Sequence, residues 1–172
     1  VESAGQGQGS TFTIALPIAI NSVTTDGKGA LDADAKYFGT NYAKILEGIR
    51  ILVVDDEADS RDLLRAILTR CGSQVKCSES AAEALKAFKT WQPDVIVTDI
   101  GMPVEDGYCL IKKLRKLRSK RAREIPAVAL TAYATSEDRA RVLSAGFQIH
   151  LAKPIEPRQL VKSIAAAAGR ES

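Results

Sequence analysis

The sequence has few of the residues that hold disulfide-rich proteins and zinc proteins together. Its three cysteines are an odd set without Cys-x-x-Cys spacing, which excludes a disulfide framework and a zinc signature. His150 is the single histidine, so a site that needs two histidines is excluded. The longest uncharged run, residues 3–25, holds only a short apolar core broken by Pro17, whereas a membrane span needs ~20 mostly apolar residues. We expect a cytoplasmic protein without membrane contact.

Aromatic residues are scarce, at 5%, but hydrophobic residues make up 45% and charged residues 26% of the 172 residues. This mixture is typical of a folded globular protein rather than a disordered one. The net charge of +3 is too weak a bias to predict nucleic-acid binding. The chain begins at Val1 without the basic segment or cleavage site of a targeting signal, so we expect a piece of a longer protein.

The charge balance and the pattern of residue types both change near residue 48. Residues 1–48 carry three basic and five acidic residues, whereas residues 49–172 carry 21 basic and 16 acidic residues. The first part has a glycine-rich opening, one stretch with β-strand alternation at residues 11–20, and a loop rich in Thr, Gly and Asp. Because one strand and a loop cannot bury a core, this part is predicted to be a remnant or a linker.

From Ile49 onward, short apolar runs alternate with helical patterns. The apolar runs at residues 51–54 and 95–98 are typical of parallel strands buried on both faces, and further strands are predicted at residues 74–77, 127–130 and 149–152. Each is followed by a helical pattern, one of which opens on the capping-box pair Ser80 and Glu83. Five strands alternating with five helices predict an α/β fold with a doubly wound parallel sheet and helices on both faces.

Four of the five predicted strands end in a polar residue at what should be one edge of the sheet. These residues are Asp55 and Asp56, Asp99, Thr131, and Lys153. Clustered carboxylates repel one another unless a cation neutralises them, and an all-oxygen cluster favours Mg²⁺ completed by a substrate phosphate. A lysine and a hydroxyl can hold phosphate oxygens. The pattern indicates a metal-assisted phosphoryl acceptor with an aspartate nucleophile, and it leaves open which aspartate attacks.

Residues 49–172 contain four motifs in the order and spacing of a known family. They are VVDDE (53–57), TDIGMPVEDG (98–107), LTAY (130–133) and LAKP (151–154). Residues 49–172 resemble a receiver domain of the two-component response-regulator family. The resemblance implies a flavodoxin-like (βα)5 fold with sheet order 2-1-3-4-5.

The resemblance also implies roles for the residues at the strand ends. Asp99 would take a phosphoryl group from a phosphohistidine of a histidine kinase or phosphotransfer domain. Mg²⁺ would be bound by Asp56, Asp99 and the backbone carbonyl of Gly101, with Asp55 acting through water. Lys153 would pair with a phosphate oxygen, and Thr131 would move to bond it and signal the state. The Lys153–Pro154 bond would be cis.

One position departs from the family pattern. The family usually has Tyr or Phe three residues before the lysine, where this sequence has His150. The aromatic switch that normally moves with Thr131 is therefore replaced by an imidazole. Since histidine titrates near neutrality, we predict that the switching step depends on pH.

The N-terminal segment shows a second resemblance. Residues 1–17, VES…GQGQGSTFTIALP, look like the last hairpin of a histidine-kinase ATP-binding domain. With residues 18–48 as a linker and 49–172 as the receiver, the chain resembles the C-terminal end of a hybrid sensor histidine kinase. The rest of that nucleotide site is missing, so we expect no ATP binding, and catalysis limited to phosphorylation and dephosphorylation of its own aspartate.

Alternative functions use the same residues differently. A receiver-like module could dock on its kinase without being phosphorylated. A second alternative is an aspartate-nucleophile phosphatase. Such an enzyme usually has a second Asp two residues after the nucleophile, and Gly101 at that position argues against this alternative.

The eight basic residues within 112–123 lack interleaved aromatics, so they are predicted to be a solvated helix end and loop rather than a nucleic-acid site. The resemblance leaves a homodimer open.

Overall fold

The computed structural model describes residues 44–132 and 135–170. Within them, one parallel sheet has the order β2-β1-β3-β4-β5. Its strands are β1 (Arg50–Val54), β2 (Gln74–Ser78), β3 (Val95–Asp99), β4 (Ala127–Thr131) and β5 (Ile149–Ala152). The predicted α/β fold and strand order are confirmed. The predicted kinase hairpin at residues 1–17 lies outside the described residues, as do Tyr133 and most of the predicted linker.

Helices connect the strands and cover both faces of the sheet. They are α1 (Ala58–Arg70), α2 (Ala81–Trp91), α3 (Gly107–Arg115), α4 (Lys120–Glu124), α5 (Ser136–Ser144) and α6 (Pro157–Ala167). Alternate residues along a strand face opposite sides of a sheet, so the continuous apolar runs supply two cores. Leu52, Val54 and Ile96 pack with α2 and α3, while Ile51, Val53 and Val97 pack with α1 and α6. Because the strands are parallel and packed between these helices, their carboxyl ends lie side by side along one edge of the sheet.

The beginning of α2 shows how local sequence sets a helix boundary. The Ser80 hydroxyl accepts a hydrogen bond from the Glu83 amide at 3.3 Å, and the Glu83 carboxylate accepts one from the Glu79 amide at 2.8 Å. These bonds satisfy amide groups that have no partner inside the helix. The predicted pairing of Ser80 with Glu83 is confirmed, although the return bond reaches Glu79 instead of the Ser80 amide.

The basic residues within the stretch 112–123 are exposed, as predicted, except Arg115. The stretch forms the end of α3 and the short helix α4, and two of its arginines are structural. Arg115 donates to the carbonyls of Ala122, Ile125 and Gly146 at 2.8–3.0 Å, and burial lowers the pKa of Arg115. Arg121 donates to the carbonyls of Gln92 and Pro93 and to the Asp94 carboxylate. The prediction of a solvated stretch was wrong for Arg115, which is partly buried, because a guanidinium can satisfy several carbonyls at once, whereas Arg121 is exposed.

The segment just before β1 also packs against the sheet. Leu46 is fully buried in the core that contains α1 and α6. Its amide donates to the carbonyl of Cys71 at 3.0 Å, and the Gly48 amide donates to the carbonyl of Gly72 at 3.3 Å. Residues 44–48, which fall within the predicted linker, thus contribute to this core. Across the described ranges, no helix is both long enough and apolar enough to span a membrane.

Candidate functional site

Three carboxylates meet where β1 and β3 end. These strands are neighbours in the sheet, so Asp55 and Asp56 after β1 come beside Asp99 at the end of β3. One oxygen from each carboxylate lies within 4.8 Å of the others. Asp55 and Asp99 are buried, whereas Asp56 is exposed. The cluster supplies only oxygen donors, which is the ligand set that a hard divalent cation prefers.

Lys153 bridges two of these carboxylates from the loop after β5. Its Nζ lies 3.1 Å from Oδ1 of Asp99 and 3.3 Å from Oδ2 of Asp55. Burial works to lower the pKa of Lys153, but its hydrogen bonds and the negative charges of Asp99 and Asp55 together raise that pKa above its ordinary value. The Lys153–Pro154 peptide bond is cis, as the resemblance implied. One ammonium beside three carboxylates leaves the pocket with an excess of negative charge.

Residues at the start of α1 hold Asp55 in place. Its Oδ1 accepts a hydrogen bond from the Glu57 amide at 2.9 Å, and its Oδ2 accepts one from the Ser60 hydroxyl at 2.6 Å. Arg61 donates from Nη1 to the Asp55 backbone carbonyl at 2.7 Å. The sequence reasoning did not single out Ser60 or Arg61. The available signal was their place one turn into the helix that starts directly after the aspartate pair.

Gly107 packs directly against the acceptor strand. A Cβ atom at this position would lie 2.5 Å from the backbone oxygen of Asp99. The Gly107 amide donates to the Ile100 carbonyl at 3.2 Å, so the loop after β3 folds back on the strand end. Within that loop, Gly101 lies beside the Asp99 carboxylate, since its Cβ would be 3.5 Å from Oδ2. The site therefore needs a residue without a side chain at position 107, which is the last residue of the TDIGMPVEDG motif.

Thr131 and His150 are joined by a hydrogen bond. The Thr131 hydroxyl at the end of β4 lies 2.7 Å from Nε2 of His150 on β5. The Thr131 carbonyl accepts a hydrogen bond from the Lys153 amide at 2.7 Å. Thr131 is buried, and His150 is partly exposed. The two residues that the sequence suggested as a switch are thus direct partners, and the backbone of one is tied to the loop that carries Lys153.

The chain is similar in sequence to a known protein family and to several characterised and uncharacterised proteins. Residues 51–165 match the family described as "Response regulator receiver domain". The chain is 43% identical over 114 residues to an uncharacterized 14.6 kDa protein of Leptolyngbya boryana, covering 66% of this chain and 86% of that protein. It is 37% identical over 123 residues to the phosphate regulon transcriptional regulatory protein PhoB of Escherichia coli, covering 72% of this chain and 53% of that one.

Other similar proteins differ widely in length. Hybrid signal transduction histidine kinase D of Dictyostelium discoideum is 35% identical over 128 residues, which is 70% of this chain but 8% of that kinase. The structure of the chemotaxis protein CheY4 of Vibrio cholerae matches with a TM-score of 0.65 and 27% identity, covering 69% of this chain and 98% of that one. The fold, the strand order and the family match agree, and the chain belongs to the response regulator receiver domain family of two-component systems.

Proposed function

We propose that this receiver accepts a phosphoryl group on Asp99 in a two-component phosphorelay. The observation that carries the proposal is the pairing of a buried Asp99 carboxylate with Lys153 at 3.1 Å, inside a cluster of three carboxylates. Among the described residues, Oδ2 of Asp99 accepts no hydrogen bond, whereas both oxygens of Asp55 do. Of the two buried carboxylates, Asp99 is therefore the one with an oxygen available for attack.

The transfer would make one bond and break another. An Asp99 carboxylate oxygen attacks the phosphorus of a phosphohistidine, and the P–N bond breaks as its electron pair returns to the imidazole. Lys153 is placed to pair with a phosphoryl oxygen, because its Nζ already contacts the acceptor carboxylate. Receiver domains work with histidine kinases or phosphotransfer domains, and we propose such a donor here.

The donor set fits Mg²⁺. Asp56, Asp99 and the backbone carbonyl of Gly101 would hold the ion, and Asp55 would contribute through water. All of these donors are oxygens, and the pocket has more negative than positive charge. When bound, the ion offsets the repulsion between the carboxylates and an incoming phosphoryl group. The chain's own contribution is to hold the carboxylates together against that repulsion, with Lys153 as the internal counter-charge.

Thr131 and His150 would report the state of Asp99. We propose that the Thr131 hydroxyl leaves His150 to bond a phosphoryl oxygen, since Thr131 ends β4 and its carbonyl accepts a hydrogen bond from the amide of Lys153.

The parent protein is proposed to be a hybrid histidine kinase, with residues 1–17 from its ATP-binding domain, residues 18–48 as a linker and residues 49–172 as the receiver. The similarity to a hybrid kinase of Dictyostelium discoideum supports that context.

Mass spectrometry tests the acceptor directly. The protein is incubated with acetyl phosphate and Mg²⁺, and the intact mass is compared with that of Asp99→Asn. A gain of one phosphoryl group that Asp99→Asn abolishes supports the proposal. The absence of any gain in the unsubstituted protein would favour a docking module that is not phosphorylated.

A further inference from the structure

The Asp55 carboxylate is anchored far more firmly than its two neighbours. Asp55 is 1% exposed, and both of its oxygens accept hydrogen bonds at the start of α1, one from the amide of Glu57, which precedes the helix, and one from the Ser60 hydroxyl in its first turn. Asp99 pairs with Lys153, and Asp56 has no hydrogen bond or ion pair within the described part of the chain. Of the three carboxylates, only Asp55 is therefore oriented by the helix that follows it.

Ser60 and Lys153 share one oxygen of this carboxylate. The Ser60 hydroxyl lies 2.6 Å from Oδ2 of Asp55, and the Lys153 ammonium lies 3.3 Å from the same atom. The ammonium is closer to Asp99, at 3.1 Å. A short hydrogen bond to a carboxylate reduces the charge that its oxygen presents to a second donor. Ser60 thus weakens the hold of Asp55 on Lys153.

The same bond matters once Lys153 engages a phosphoryl oxygen. A buried carboxylate that loses its counter-charge is costly unless other donors remain. Ser60 and the Glu57 amide leave Asp55 with a donor on each oxygen. The neutral Ser60 hydroxyl can keep the Asp55 carboxylate in place while the Lys153 ammonium pairs with the phosphoryl oxygen.

We propose that Ser60 is a positioning residue that orients Asp55 for the divalent cation and keeps Lys153 directed at Asp99. This inference rests on the proposed function of the pocket. Its basis is the 2.6 Å bond and the shared oxygen, neither of which follows from the motifs in the sequence. Without the hydroxyl, Lys153 would settle on Asp55 and compete with the cation for that carboxylate.

The test measures cation binding without turnover. Mn²⁺ replaces Mg²⁺, and free Mn²⁺ is followed by electron paramagnetic resonance during titration of the full chain. We expect Ser60→Ala to weaken binding about tenfold, the lower end of what is lost when a residue that orients a metal ligand is removed. The matched pair Ser60→Thr and Ser60→Val has the same shape and differs in the hydroxyl, so Thr should retain affinity and Val should lose it.

Ser80→Ala provides the control. It also removes a serine hydroxyl from the start of a helix, but that hydroxyl accepts from the Glu83 amide and belongs to α2. We expect a small loss of stability and unchanged Mn²⁺ affinity. Thermal unfolding of each variant confirms that the comparison is made on folded protein.

The outcomes separate this inference from the proposed function. Equal Mn²⁺ affinity of the unsubstituted protein and Ser60→Val would overturn the role of Ser60 and leave the proposed function standing. Equal loss in Ser60→Thr and Ser60→Val would also overturn it, because the hydroxyl would then be irrelevant. If the unsubstituted protein binds no Mn²⁺, the proposed metal site and this inference both fail.

Discussion

The hydroxyl of Thr131 lies 2.7 Å from Nε2 of His150, so the end of β4 is joined through side chains to the neighbouring strand β5. A neutral imidazole with its hydrogen on Nδ1 can accept a hydrogen bond from the Thr131 hydroxyl at Nε2. A protonated imidazole has hydrogens on both nitrogens and can only donate. The direction of the hydrogen bond therefore depends on the charge of His150.

We predict that the conformational response to phosphorylation depends on this pair. His150→Phe keeps a planar ring at this position but removes the nitrogen that bonds Thr131. Backbone amide shifts induced by beryllofluoride and Mg²⁺, measured by NMR, report the response. The shifts induced around Thr131 and along β5 should differ between His150→Phe and the unsubstituted protein. Identical induced shifts in the two proteins would refute the prediction.

Asp94 is predicted to stabilise the fold in a pH-dependent way. Burial works to raise its pKa, but bonds from Arg50 and Arg121 produce a net lowering. A lowered pKa in the folded state means that the stabilisation is present above the ordinary aspartate pKa and is lost as pH falls through the lowered value. We expect Asp94→Asn to reduce the free energy of unfolding by about 1 kcal/mol at neutral pH, a figure kept small because the side chain is partly exposed.

Urea unfolding at neutral and acidic pH checks the Asp94 prediction. The difference between Asp94→Asn and the unsubstituted protein should shrink in acid, since protonation removes the same charge. Asp62→Asn is the control, because Asp62 pairs with Arg65 on the surface and its side chain is 72% exposed. That substitution should have little effect at either pH. A constant difference for Asp94→Asn across the pH range would contradict the assignment.

Ser78 is predicted to weaken the fold. Its hydroxyl is buried and has no hydrogen-bond partner among the described residues. A buried hydroxyl without a partner costs free energy, so Ser78→Ala should raise the free energy of unfolding by about 1 kcal/mol. Ser73→Ala is the matched comparison, because the buried Ser73 hydroxyl donates to the Leu68 carbonyl at 2.8 Å. Chemical denaturation should show opposite signs for the two substitutions, and a loss of stability in both would disprove the prediction for Ser78.

Gly107 is predicted to control the position of the acceptor. A methyl group there would lie 2.5 Å from the Asp99 backbone oxygen, so Gly107→Ala must push the loop away from β3. We expect a loss of about 1–3 kcal/mol in stability and slower phosphorylation by acetyl phosphate. The phosphorylation rate is compared with that of Ser80→Ala, which destabilises the fold at a distance from Asp99. Equal rates in the two variants would show that the close approach of Gly107 to Asp99 has no catalytic consequence.

Much of the fold and the outline of the site follow from local patterns. The apolar runs at residues 51–54, 95–98 and 127–130 are short and continuous, and such runs are stable only when both faces of the strand are covered. That constraint leads to helices on both sides and to strand ends at one edge. Asp55, Asp56 and Asp99 follow such runs directly, so their close approach could be predicted from the sequence alone.

Contacts between distant residues were decided only by the tertiary structure. Lys153 lies 98 positions from Asp55, and no local pattern states that its ammonium bridges Asp55 and Asp99. The bonds of Arg115 to three carbonyls and of Thr131 to His150 likewise depend on how the layers pack. Hydrophobic periodicity specifies which face of an element is buried, but it contains no information on which polar atoms will meet. Directional bonds at 2.6–3.3 Å arise only after packing fixes the backbones, and in this receiver they turn a row of strand-end residues into a connected pocket.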